Sequence, residues 1–399
     1  MRLSAQFREA VRVKRLSPDQ RVAERLGRAL TEARACRDTQ AANSSDSAKL
    51  GKIKLVVVSD KHMGAGTNSD AFRQCADNYC AALGYYLENE YQLLVLGDSE
   101  ELWEETFARI ETQYGHVMDL ESEFALKGRL LKFFGNHDHV WRDMQTARKN
   151  LSSRFGEIRI RESFLLQVMD GKNTIGEVFF AHGHQGDLMS DYLTEFSKFW
   201  VRPFGWLQAN LPIPWAKPPA TPSMSEELRH AQDKALFSWS DSLPRSPGNS
   251  SDPEQPPVVL IAGHTHRPVF SVPRSRERLI EEAQASLDEA RGQDGTDAGL
   301  ARAELERVKS TQANVPTDAV VPLPPSYFNS GCCCFADGDI TCIEIVDGTI
   351  KLVRWPDDLG APKPKVLDSK PLKDVFLSIR ESQPNEGALE RVQIGDEIV

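Results

Sequence analysis

The chain has 399 residues and a formal net charge of -10, with 40% hydrophobic and 27% charged residues. That size and mix exclude a small disulfide-stapled scaffold, wholesale disorder and collagen-like repetition, and leave room for a sizeable buried core. The negative balance repels polyphosphate backbones at long range, so nucleic acid is disfavoured as a partner.

Residues 1–51 read as a helical N-terminal extension and linker. Phe7 and Val11, then Leu26 and Leu30, recur at i, i+4 among arginines, with Pro18 interrupting the stripe. The expected role is a helix packed on the main domain; a surface for a partner is the alternative. The N-terminus lacks the uninterrupted apolar block of a secretory signal. Seven cysteines, an odd number that includes the run Cys332, Cys333 and Cys334, suit a reducing compartment. The expected location is therefore cytoplasmic, and the cysteine run reads as small buried hydrophobes of a strand. No apolar run reaches the roughly 18 residues of a membrane span.

The small polar stretch 38–49 is a linker, and the main domain is expected over 52–356. Strands at Ile53–Ser59, Leu93–Leu96, Leu130–Phe134 and Val178–Ala181 alternate with helix-compatible segments, which predicts α/β layers. Beyond Gly183 the rhythm breaks into a Trp- and Pro-rich, lid-like insertion over 190–256, with Trp200, Trp206, Trp215 and Trp239. Another strand is expected at Val258–Ala262. Residues 272–312 read as a helical hairpin insertion, and Asp347-Gly348 as the turn of a β-hairpin ending near Trp355. Residues 357–399 read as a polar C-terminal tail.

Five short motifs follow predicted strands, where an α/β sheet exposes its functional loops. They are Ser59-Asp60-Lys61-His62, Gly97-Asp98, Gly135-Asn136-His137-Asp138, His182-Gly183-His184 and Gly263-His264-Thr265-His266. Seven of the nine histidines lie in or beside them, a clustering that packing does not explain. Imidazole, carboxylate and amide oxygen suit first-row dications, and no loop of the five contains a thiol, so a catalytic metal is favoured over a structural zinc knot. D-x-H and H-x-H at a strand end each project residues i and i+2 to one side. His139 reads as a surface or supporting residue.

In this order and placement the motifs resemble those of the calcineurin-like metallophosphoesterase superfamily, from roughly Ile53 to Phe270. The resemblance implies a four-layer α/β/β/α double β-sandwich with helical insertions and two divalent ions, manganese, iron or zinc. It implies that Asp60, His62 and His266 hold one ion, that Asp98 bridges, and that Asn136, His182 and His264 hold the other. His184 stays open as the alternative to His182. The resemblance further implies hydrolysis of a phosphoester or pyrophosphate by a metal-bridging hydroxide, with His137 protonating the leaving oxygen and Glu101 orienting His137.

GDSEELWEE and GNHDHVW are similar to the branch that cleaves UDP-diacylglucosamine, but the chain is longer and departs from that branch after His182-Gly183. The expected substrate is a phosphorylated small molecule or a lipid-linked one, and the Trp-rich insertion offers either its own core, a greasy pocket or a peripheral membrane contact. A nuclease or cyclic-nucleotide phosphodiesterase on the same fold is one alternative; a non-catalytic protein-binding scaffold is another. The sequence leaves the oligomeric state open.

Overall fold

The computed structural model describes residues 16–39, 47–186, 226–244, 255–271, 284, 302, 325–357 and 362–382. The chain divides into two compact units, Met1–Ser271 with Pro324–Val399, and Val272–Leu323. The predicted hairpin over 272–312 lies outside the described residues apart from 284 and 302, as do Trp200, Trp206 and Trp215.

Strands β2 (Lys54–Val58), β3 (Gln92–Leu96), β4 (Leu130–Phe133) and the two-residue β5 (Ile160–Arg161) pair in parallel. Helices α2 (Ala76–Glu88), α3 (Phe107–Leu126) and α4 (Met144–Phe155) make the crossovers that parallel pairing requires. Strands β11 (Ile340–Val346), β12 (Thr349–Trp355) and β13 (Lys365–Pro371) extend this sheet antiparallel, in the order β13-β12-β11-β2-β3-β4-β5. The second sheet has the order β1-β6-β7-β8-β10-β9. It comprises β1 (Ser47–Lys49), β6 (Ser163–Asp170), β7 (Asn173–Ala181), β8 (Val258–Ala262), β9 (Pro268–Ser271) and β10 (Tyr327–Ser330), and it is also mixed. The fold is thus mixed α/β with two mixed sheets, as the alternation of elements predicts.

The two-residue period of β2 explains how the layers cohere. Val56 and Val58 join Tyr79, Leu83, Ile110, Tyr114 and Trp141 in a core under the helices. Leu55 and Val57 turn the other way and share a second core with Leu166, Val178, Phe180, Val259 and Ile261 of the other sheet. Both faces are buried, so the strand reads as a continuous apolar run. The β11–β12 hairpin turns at Asp347 and Gly348, with φ of 51° and 71°, which matches the predicted two-residue turn.

Helix α1 (Pro18–Thr39) buries Val22, Leu26, Ala29 and Leu30, and contacts β6 and α5 (Glu226–Ser242). Arg34 adds an ion pair to the buried Glu177 on β7 at 2.7 Å. Helix α1 of the N-terminal extension therefore packs on the main domain, and Trp239 of α5 lies 5.9 Å from the Phe179 ring.

Two expected boundaries need correction. Residues 47–49 are not linker but β1, which pairs parallel to β6; this edge strand is held by backbone hydrogen bonds, so its small polar side chains give no apolar signal. The expected tail, 357–399, contains β13 and helix α6 (Leu372–Glu381), whose Leu372, Val375, Phe376 and Ile379 enter the core between the sheets. Among the described residues no helix is long and apolar enough to cross a membrane. Phe376→Ala should lower the unfolding free energy by about 3–5 kcal/mol in urea titrations. Leu377→Ala, at a 43% exposed position on the same helix, should change it by less than about 0.5 kcal/mol.

Candidate metal centre

The five motifs lie at the C-terminal ends of β2, β3, β4, β7 and β8. Backbone hydrogen bonds knit these loops together: Asp60 N to Gly97 O at 3.2 Å, His62 N to Asp98 O at 3.0 Å, and Gly263 N to His182 O at 2.9 Å. Close approach requires glycine at 97, where a Cβ would sit 2.7 Å from His182 Nδ1 and 2.8 Å from Gly135 N. Asp60, His62, Asp98, His264 and His266 all have positive φ, between 49° and 69°. Non-glycine residues hold that conformation only where surrounding contacts enforce it, and such positions cluster at functional sites.

Each aspartate is held by one oxygen and presents the other. Asp60 Oδ2 accepts from Ser59 Oγ and from His264 N at 2.9 Å, while the buried Oδ1 makes no hydrogen bond. That Oδ1 lies 3.4 Å from His266 Nε2 and 3.9 Å from both His62 Nε2 and His182 Nε2. Asp98 Oδ1 accepts from His137 N at 2.8 Å, and its Oδ2 sits 3.2 Å from His182 Nε2 and 3.7 Å from His62 Nε2. His62 Nε2 and His266 Nε2 are 3.1 Å apart. Two nitrogens bound to one ion at about 2.0–2.1 Å stand at roughly 3–3.4 Å from each other, so this spacing fits shared ligation.

The outer ring nitrogens are engaged in ways that fix the tautomers. His182 Nδ1 donates to Leu96 O at 2.7 Å, so in the neutral ring the buried Nε2 facing Asp98 carries the lone pair. Glu101 takes two imidazoles at once, His62 Nδ1 at 2.9 Å and His137 Nδ1 at 2.8 Å. This is the orienting role expected for Glu101, with His62 as an added partner. Trp103 stacks on the His137 ring with centroids 3.9 Å apart. Asn136 is buried between Gly135 and His137, and its Oδ1 makes no hydrogen bond.

Burial alone would raise the carboxylate pKa values, yet His182 and His266 outweigh it at Asp60 and hold that group down to about 2. Burial is likewise overcome at Asp98 by His182 and His137, and at Glu101 by His137 and His62. Burial also opposes the imidazolium forms, but the carboxylates prevail, raising His137 and His182 to about 9 and His266 to about 10. His184 moves the opposite way, well below its ordinary range, through burial and then His182 and His264. Ionised carboxylates crowded in a buried space demand positive charge, which is what favours the charged forms of His137, His182 and His266. A divalent cation would supply it while leaving them neutral.

Among the described residues four sets of ligand atoms could hold a cation, three of them made of oxygen and nitrogen: Asp60, His62 and His266; Asp98, His182 and His264; and His62, Glu101 and His137. Every metal-ligating residue expected from the sequence except Asn136 falls in the first two sets, and Asn136 directly precedes His137, whose N donates to Asp98 Oδ1. Of the two alternatives, His182 shares a set with Asp98 and His264, whereas His184 belongs to none of these sets. His139 sits at the head of a 3-10 turn, edge-on to Phe134 at 5.3 Å, in a supporting position.

Sequence reasoning missed the platform beneath. Lys61 pairs with Glu121 of α3, and Lys132 of β4 pairs with Glu100 at 2.7 Å and with Glu121 at 3.7 Å, all four side chains being fully buried. Tyr79 OH and Trp141 Nε1 donate to Glu121 and Glu100, each at 2.8 Å. Asp138 ties two motifs together, accepting from Gly135 N at 2.6 Å and Ser99 N at 2.8 Å. A buried lysine at the centre of Asp60-Lys61-His62 was the available signal, because a buried charge needs a partner. Of the expected cysteine run, Cys333 is a small buried hydrophobe of the helix-side core, but the run follows β10 as a bend and is not strand, and Cys332 and Cys334 form a further set with His266. No protein-family model matches the chain, and no curated protein matches it. Glu121→Leu leaves two buried ammonium groups with Glu100 alone and should cost about 3–5 kcal/mol of stability in urea unfolding.

Proposed function

We propose that the chain is a metal-dependent phosphoesterase of the calcineurin-like metallophosphoesterase superfamily, with the double β-sandwich of that family, hydrolysing a phosphoester or pyrophosphate bond. The observation that carries this reading is the convergence of Asp60 Oδ1, Asp98 Oδ2 and the Nε2 atoms of His62, His182 and His266, with neighbouring pairs 3.1–3.9 Å apart. The donor set fits first-row dications, and the buried Asp60 Oδ1, Asn136 Oδ1 and His182 Nε2 lack hydrogen bonds that an ion would replace. Asp60, His62 and His266 would hold one ion and Asn136, His182 and His264 a second, with Asp98 between them. When bound, such ions acidify water for attack and neutralise the phosphoryl oxygens.

The chain's own residues supply the remaining functions. Glu101 fixes the proton of His137 on Nδ1 when the ring is neutral and stabilises the imidazolium when it is charged, so Nε2 is the nitrogen that donates to a leaving oxygen. Trp103 covers one face of that ring and limits its rotation. Asp60, Asp98 and Glu101 together repel an anionic substrate unless cations stand between them, which makes the reaction metal-dependent on electrostatic grounds.

Helix α5 borders the same loops. Gln232 Nε2 donates to Gly183 O at 2.9 Å, and Asp233 Oδ1 accepts from Thr265 Oγ1 at 2.8 Å. The insertion that contains α5 is therefore tied to the loops of His182 and His264, and we assign it the choice between a soluble phosphorylated metabolite and a lipid-linked one.

Metal analysis and hydrolysis of p-nitrophenyl phosphate and its bis ester test the proposal. Asp98→Asn should lower bound metal and turnover together. His137→Ala should keep the metal and reduce kcat by about 10²–10⁴-fold. Wild-type protein that binds two ions and hydrolyses nothing across a phosphoester panel would instead be a scaffold.

A further inference from the structure

Cys332 and Cys334 lie with His266 in a cluster whose two sulfur atoms the phosphoesterase reading does not use. We infer that Cys332 Sγ, Cys334 Sγ and His266 Nδ1 form a separate site for one thiophilic cation of the zinc or cadmium type.

The backbone explains the arrangement. Thr341 N donates to Cys332 O at 3.1 Å and Cys333 N to Asp60 O at 3.2 Å, so the run is tied to β11 on one side and to the Asp60 loop on the other. The run follows β10 and bends at Cys333, which enters the helix-side core, while Cys332 and Cys334 gather with His266. The three ligand atoms lie within 4.8 Å of one another, and Cys334 Sγ is 3.6 Å from His266 Nδ1. Around a tetrahedral ion with bonds of about 2.3 Å to sulfur and 2.0–2.1 Å to nitrogen, such atoms stand roughly 3.5–3.8 Å apart.

Ligand chemistry separates this cluster from its neighbour. Two thiolates and an imidazole suit soft and borderline cations, whereas the set around Asp60 and Asp98 is made of oxygen and nitrogen. Binding releases the two thiol protons to solvent. Cys332 is buried and Cys334 half-buried, so a fourth ligand position can be reached from the Cys334 side.

His266 belongs to both sets. A neutral imidazole has one lone pair, so a cation on Nδ1 keeps the proton on Nε2 and withdraws that nitrogen from Asp60 and His62. This coupling rests on the phosphoesterase reading; the thiol site itself does not.

The test is cadmium titration of metal-depleted, full-length protein in a Cys36→Ser background, because Cys36 is exposed. Thiolate-to-cadmium charge-transfer absorption should saturate at one equivalent. It should be lost in the Cys332→Ala, Cys334→Ala double variant and retained in Asp98→Asn. Cys334→Ser, at the half-buried position, should cause the same loss and serves if the double variant does not fold. Absence of the band in the parent protein, or its persistence in these cysteine variants, overturns the site whatever the hydrolase assays show. For the coupling, manganese retained after equilibration with one equivalent of cadmium should fall in the parent and not in Cys334→Ser; equal retention in the two removes it.

Discussion

Glu121 lies between two buried ammonium groups, and the loops of the site rest on that arrangement. Lys61 belongs to the loop of Asp60 and His62, Glu100 to the loop of Asp98 and Glu101, and Lys132 to the strand that leads into Asn136 and His137. Glu121 thus joins the segments of Lys61 and Lys132, and Lys132 in turn holds the loop of Glu100, so the chain of pairs fixes three segments relative to one another. In a medium that screens charge poorly, none of the four groups can leave without stranding another. An apolar plug of similar volume would pack, but it would not tie these three segments together.

That rigidity explains how the backbone above it tolerates unfavourable conformations. Positive φ at Asp60, His62, Asp98, His264 and His266 costs of order 1–3 kcal/mol per residue unless the surroundings impose it. Here they do. His264 N and Ser59 Oγ hold one oxygen of Asp60, His137 N holds one oxygen of Asp98, and Asp138 accepts from two loops at once. Each of these bonds leaves an inward-facing donor atom in place before any cation arrives. On the phosphoesterase reading this is preorganisation: the fold, and not the metal, carries the cost of gathering the ligands.

Much of the architecture was legible because the strands of the site are buried on both faces. Apolar runs such as Leu55–Val58 and Val258–Ala262 end abruptly in Asp, His or Gly, and that transition marks a strand end with chemistry on it. The choice between His182 and His184 was not legible, since alternation alone puts both on one side; Gly183, with φ of 105°, breaks the alternation, and a glycine's conformation is not written in its identity. Strand β13 was missed because most of its side chains are exposed. Helix α6 was missed although its spacing at 372, 375, 376 and 379 is regular, because the polar composition around it hid a single apolar stripe. The cluster of Cys332 and Cys334 with His266 was not legible, because packing and ligation ask for the same small, apolar-looking side chain.

His266 is where these levels meet. Its Nε2 faces an oxygen- and nitrogen-rich cluster and its Nδ1 faces sulfur, so a single ring separates two coordination environments of different hardness. The sheet connects the two sides: β8 delivers the His266 loop, the adjacent β10 leads into the cysteine run, and Cys333 N hydrogen-bonds back to Asp60 O. A ring held this way has little freedom to rotate toward either side alone. Its proton decides which nitrogen is available, so the occupancy of one side sets the basicity offered to the other. If both proposed sites bind cations, their competition follows from the tautomer of one imidazole and requires no larger movement of the fold.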